Sequence, residues 1–126
     1  MDPEDAILAK QYCDAIYISN HGGRQLDTVS APIEVLPEIR AVVGKDFPLF
    51  IDGGVRTGMD VFKCIALGAN YVFIGRPFAF GLIEGEEGVN NVVEILKDEL
   101  NRTMILNGPR NIQEINSSFI GFRSKF

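Results

Sequence analysis

His21, the only histidine in the chain, and Arg24 stand three residues apart in the run Ser19-Asn20-His21-Gly22-Gly23-Arg24-Gln25-Leu26-Asp27. An imidazole titrates near neutrality and can take a proton, whereas a guanidinium holds a carboxylate through its planar fork. Together they suit a substrate that is both an alcohol and a carboxylate. The glycines after His21 force an open loop to which a ligand can come close. Taken alone, the pair also reads as a loop histidine beside a surface arginine.

A second constellation follows. Asp52-Gly53-Gly54-Val55-Arg56 and Gly75-Arg76 each come directly after a short apolar run. Glycines at such a turn expose backbone N–H groups, and two arginines add bidentate donors, which together suit a phosphate. The other reading is that tight turns need glycine and that arginines decorate surfaces. Recurrence of the pattern one strand–helix unit later favours the phosphate. Asp52 reads as a carboxylate that orients an arginine, as one that meets a ligand hydroxyl, or as a turn-forming residue before two glycines. Neither GxGxxG nor GxxxxGK[ST] occurs, so a Rossmann dinucleotide site and a P-loop are unsupported. Cys13 and Cys64 have no CxxC spacing and no histidine neighbours, and no metal site is expected.

The elements that position these residues follow from pattern. Asp2 caps a helix that opens at Pro3 and runs to about Tyr12. Apolar runs at residues 15–19, 48–51 and 71–74 read as short buried strands. A helix spans about Pro32 to Val43, with Pro37 expected to kink or restart it and Gly44 to stop it. Thr57-Gly58-Met59-Asp60 has the capping-box pattern and starts a helix that ends at Gly68. A long amphipathic helix carries Val89, Val92, Val93, Leu96, Leu100 and Met104 on one face and ends at Gly108-Pro109. The tail holds one short helix around residues 112–115. Strands that alternate with helices and read as continuous apolar runs imply a parallel α/β sheet, doubly wound or barrel. Phosphate sites after the last two strands recur in (β/α)₈ barrels and favour the barrel.

With 126 residues, 46% of them hydrophobic, the chain can bury one modest core, so one domain at most is expected. The net charge of −5 and the lack of a basic run argue against nucleic-acid or anionic-membrane partners. The acidic opening, Met1 to Asp5, does not read as a signal peptide, and two isolated cysteines suit a reducing compartment.

Combined with Ala66-Leu67-Gly68-Ala69 and Phe73-Ile74-Gly75-Arg76-Pro77, these motifs resemble the FMN-dependent 2-hydroxy acid oxidase/dehydrogenase family, which includes glycolate oxidase and the peroxisomal hydroxyacid oxidases. The resemblance implies that residues 1–126 form the C-terminal part, about strands 6 to 8, of an FMN-binding TIM (β/α)₈ barrel. It implies FMN as cofactor and oxidation of a small 2-hydroxy acid to the 2-oxo acid, with oxygen as acceptor and hydrogen peroxide as product. His21 then matches the active-site base and Arg24 the substrate-carboxylate clamp. Ser19 matches a residue that contacts the flavin ring. Asp52, Gly53, Gly54, Val55, Arg56, Gly75 and Arg76 match the ribityl-phosphate site.

A whole barrel takes about 250 residues, so the family's flavin-side lysine, its substrate tyrosines and a second arginine are expected outside this chain. Three strands alone leave open edges, and the isolated chain is expected to fold poorly or to associate. The resemblance implies a homo-oligomer, tetrameric at full length. The alternative is a non-catalytic half-barrel that binds phosphate or pairs with other subunits. Ser124-Lys125-Phe126 differs by one residue from the Ser-Lys-Leu peroxisomal address, so the peroxisome is expected, with the cytoplasm as the alternative.

Overall fold

Helix-period and strand-period stretches alternate along the chain, and in the computed structural model, which describes residues 1–121, they condense into one parallel α/β layer. The order is α1 (Pro3–Ala9), β1 (Ile16–Ile18), α2 (Pro32–Val43), β2 (Leu49–Ile51), α3 (Gly58–Ala66), β3 (Tyr71–Val72), α4 (Arg76–Gly81) and α5 (Gly85–Asn107). The tripeptide Ser124-Lys125-Phe126 lies outside the described residues. The strands pair in parallel in the order β1-β2-β3, with Tyr17 opposite Phe50 and Phe50 opposite Tyr71.

Alternation along the strands gives the sheet two unlike faces. Ile18, Leu49 and Ile51 are buried with Leu36, Ile39 and Val43 of α2, Cys64 of α3 and Ala6 of α1 in the main core. Burial pushes the Cys64 thiol up to about 11, so it stays a neutral packing group. The opposite face carries Tyr17, Phe50, Tyr71 and Phe73, whose rings pack tilted or edge-on with centroids 4.9–5.8 Å apart. Strands buried throughout were expected, but Tyr71 is 61% and Phe73 45% exposed, because the helices gather on one side only.

Other expectations need adjustment. The first helix ends at Ala9, since Gln11 and Tyr12 donate to carbonyls three residues back and the chain tightens into a turn. Pro37 neither breaks nor restarts α2, where Leu36, Ile39 and Val43 anchor the turns around it in the core. Gly85, at φ +69, divides the expected long helix from the short α4 before it. Val93 is exposed, while Gly88, Leu96 and Thr103 are the buried residues of α5. The strands are also one or two residues shorter than their apolar runs.

Close contact between α3 and α5 rests on Gly58. Its N–H donates to Glu99 Oε2 at 2.7 Å, and an added Cβ would run into the α5 backbone at Leu100. Behind this contact Phe62, Ala66 and Ile115 form a second cluster with Leu100, Met104 and Phe119. Gly58→Ala should therefore destabilise the fold by about 1–3 kcal/mol, the usual cost of overpacking. Urea denaturation checks this, and an unchanged midpoint would refute the tight crossing.

Candidate functional site

All the candidate residues share one origin, the segments that leave the carboxyl ends of successive strands. The loop after β1 is a 3₁₀ turn at His21–Gly23, closed by Asn20 Oδ1, which accepts from Gly23 N–H at 3.1 Å. Ser19 Oγ accepts from His21 N–H at 3.1 Å. His21 takes φ +58, a left-handed backbone that costs a side-chain-bearing residue roughly 1–2 kcal/mol. Local hydrogen bonds hold that strain, and the imidazole stands exposed at the loop tip.

The loop after β2 is fixed by the capping box of α3. Thr57 Oγ1 accepts from Asp60 N–H at 3.1 Å, and Asp60 Oδ2 accepts from the N–H groups of Thr57 at 3.0 Å and Arg56 at 3.1 Å. Burial resists ionisation of Asp60. The amides of Arg56 and Thr57 and the charge of Lys63 outweigh it and hold the carboxyl below its usual range. The cap that starts the helix thus also sets the backbone of Arg56. After β3, Arg76 opens α4, and its Nη2 donates across to Gly22 O at 3.3 Å.

These three loops enclose a cavity of about 380 Å³. Arg24, Arg56 and Arg76 line it, together with Asp52 and the backbone from Gly53 to Val55 and at Gly75. Among the described residues, none of the three arginines pairs with a carboxylate. A Cβ at Gly54 or Gly75 would meet nothing within 4 Å, so the backbone there is open to a ligand. Asp52 sits at the wall with Oδ2 accepting from the Tyr17 hydroxyl at 2.8 Å, and its Oδ1 is buried without a partner among the described residues. Chemically, the cavity offers cations and amides to an anion and one under-used carboxylate to a hydroxyl donor.

The structure brings Arg24, Asp52, Gly53, Gly54, Val55, Arg56, Gly75 and Arg76 together. It leaves two candidates aside. His21 reaches the cavity only through its neighbour Gly22, and Ser19 lines a separate cleft beside Asp5 and Ile39. Tyr17 and Phe73 escaped notice as site neighbours. Their signal was the aromatic residue at every second strand position, hidden when each run is read simply as apolar.

A parallel α/β layer with a cationic cavity at its strand ends is an arrangement suited to an anion such as a phosphate. The chain belongs to the FMN-dependent dehydrogenase family, whose sequence profile matches residues 1–121. It is 52% identical to a 2-hydroxyacid oxidase of Dictyostelium discoideum, a match that covers all of this chain and 33% of the relative. It is also 52% identical to the glycolate oxidase of Spinacia oleracea, over 93% of this chain and 32% of that protein. The chain thus spans about a third of the length of the curated relatives it matches. Among solved structures it superposes on a flavocytochrome b2 variant with sulfite bound, at TM-score 0.89 and 43% identity, over 93% of this chain and 32% of that one. A structure of (S)-mandelate dehydrogenase gives TM-score 0.90 at 38% identity, covering 95% and 32%. These neighbours are TIM barrels, and the three strands here are a partial sheet of that architecture.

FMN joins a phosphate to a flavin through a chain of hydroxyls, and the residues present fit both polar parts. The arginines and open glycines suit the phosphate, and the spare acceptor capacity of Asp52 suits a hydroxyl.

The bond between Tyr17 and Asp52 has a pH signature. Partial burial, then the hydrogen bond and negative charge of Asp52, push the Tyr17 phenol up to about 12. A phenol whose pKa rises on folding stabilises fully below its unfolded value of about 10, and that contribution fades as pH climbs to the folded value. Ultraviolet titration should show a phenolate component near pH 12 that Tyr17→Phe removes. A component lost at ordinary phenol pH would contradict the contact.

Proposed function

We propose that this chain is the segment, about strands 6 to 8, that gives an FMN-dependent 2-hydroxy acid oxidase its phosphate site, its base and its carboxylate clamp. The observation that carries the reading is the convergence of Arg24, Arg56 and Arg76, free of carboxylates among the described residues, on one cavity beside Asp52. The relatives named 2-hydroxyacid oxidase and glycolate oxidase support the same substrate class.

In this reading Arg56 and Arg76 bind the phosphate, with the amides of Gly53, Gly54 and Gly75 as further donors. FMN, when bound, supplies the two-electron acceptor. Arg24 holds the substrate carboxylate by its fork and so orients the hydroxyl-bearing carbon. His21, next to the cavity-lining Gly22, takes the substrate proton on an imidazole nitrogen. The product is the 2-oxo acid, and with oxygen as final acceptor the two electrons and two protons leave as hydrogen peroxide.

A chimera in which this chain replaces the matching third of the spinach glycolate oxidase tests the assignment. Arg56→Ala or Arg76→Ala should weaken FMN binding by about 1.5–3 kcal/mol, the worth of a charge-assisted hydrogen bond. His21→Ala should keep the flavin bound and lower kcat by about 10²–10⁴, as loss of a general base does. Arg24→Ala should mainly raise KM for the 2-hydroxy acid. Flavin reduction as fast in His21→Ala as in the parent would remove the base from the mechanism. A chimera that binds phosphate but never turns over would instead favour the non-catalytic half-barrel.

The compartment reading stays with Ser124-Lys125-Phe126, and the peroxisome is proposed on that tripeptide together with the family. A fluorescent protein made to end in this tripeptide should appear in peroxisomes. Diffuse cytosolic signal would defeat it.

A further inference from the structure

Tyr17 has no part in binding phosphate, clamping carboxylate or moving the proton. Among the described residues its hydroxyl is nevertheless the one donor to the side chain of Asp52. The sheet register explains how. Tyr17 lies opposite Phe50, and Asp52 is two residues further along β2 and its loop, on the same face. The phenol therefore reaches diagonally, up the sheet toward the cavity. Its ring is held in turn by Phe73, 4.9 Å away and inclined at 35°.

This tether keeps Asp52 in an arrangement that the carboxylate would not choose by itself. An ionised carboxylate has about four acceptor positions, and a buried oxygen with none filled is unfavourable. The terminal torsion of an aspartate is soft, so an untethered carboxylate can turn its poorer oxygen toward water. Tyr17 opposes that turn by holding Oδ2, and Oδ1 stays buried and unpartnered. The acceptor is thereby reserved for a donor that arrives with the ligand, and the cost of orienting it is met before binding.

We propose that Tyr17 is a positioning residue for the cofactor, fixing the carboxylate of Asp52 so that it accepts a hydroxyl from the polyol chain attached to the bound phosphate. The inference rests on the FMN reading above and adds to it a residue that touches no part of the cofactor.

The test is a double-mutant cycle in the chimeric holoenzyme, read by FMN affinity and, separately, by affinity for inorganic phosphate. Tyr17→Phe keeps the ring against Phe73 and removes only the hydroxyl. It should weaken FMN by about three- to tenfold, part of the worth of a hydrogen bond to a carboxylate, and leave phosphate affinity unchanged. Asp52→Ala should weaken FMN at least as much, and Tyr17→Phe added to it should cost nothing further. Equal losses of FMN and phosphate would make Tyr17 a structural residue only and overturn the proposal. So would unchanged FMN affinity in Tyr17→Phe, or a full effect that persists in the Asp52→Ala background. A parent chimera that binds phosphate but not FMN would fail at an earlier point, overturning the FMN reading and this inference with it.

Discussion

The Arg40 guanidinium is the interaction on which the site's geometry depends. Its Nε and Nη2 both donate to Gly68 O, at 2.9 and 2.6 Å, and Nη1 donates to Gly44 O and Phe47 O at 2.6 and 2.7 Å. Nη2 also reaches Asn70 Oδ1 at 2.8 Å, and the same oxygen accepts from Leu49 N–H at 2.9 Å. Partial burial presses the pKa of Arg40 downward, yet a guanidinium keeps its charge in any ordinary setting. One cation thus gathers the end of α2, the entry to β2 and the entry to β3. With the amino ends of two strands fixed together, their carboxyl ends emerge side by side, and the loops that carry Asp52, Arg56 and Arg76 have a common base.

On that base the two faces of the sheet divide the work. The helix-covered face holds the aliphatic core, which fixes register because a slip of one residue would turn Ile18 and Ile51 outward. The other face is aromatic and carries the Tyr17–Asp52 bond into the cavity. Local charge runs against the whole. The chain has a formal charge of −5, but the cavity wall presents three arginines and one carboxylate, so the attraction for an anion is set by the loops and not by the net charge.

Much of this was legible in the residues. Asp2, Thr57 with Asp60, Gly44 and Gly68 mark helix ends by local chemistry, and each does so here. The glycine–arginine turns announced the cavity because open backbone and guanidinium donors are needed together at one spot. What stayed hidden depends on contacts distant in sequence. The exposure of Tyr71 and Phe73 follows from where the helices gather, which no strand records in its own pattern. Pro37 was read as a kink or a restart because the missing amide is local, while the packing that carries α2 through it is not. Ser19 sits in the right motif, where its hydroxyl accepts from the His21 amide and keeps its own proton to donate, but it lines a different cleft.

The contact between Gly81 and Gly88 reaches beyond packing. A side chain at either position would strike the other's backbone, so the short helix headed by Arg76 and the long helix that follows meet main chain to main chain. Two rods joined without an intervening layer of side chains have little room to slide, and they behave as one bent lever. Arg76 is at one end of that pair, and the other end lies at Asn107. The placement of the helix that Arg76 opens is thereby tied to a helix that forms no part of the cavity.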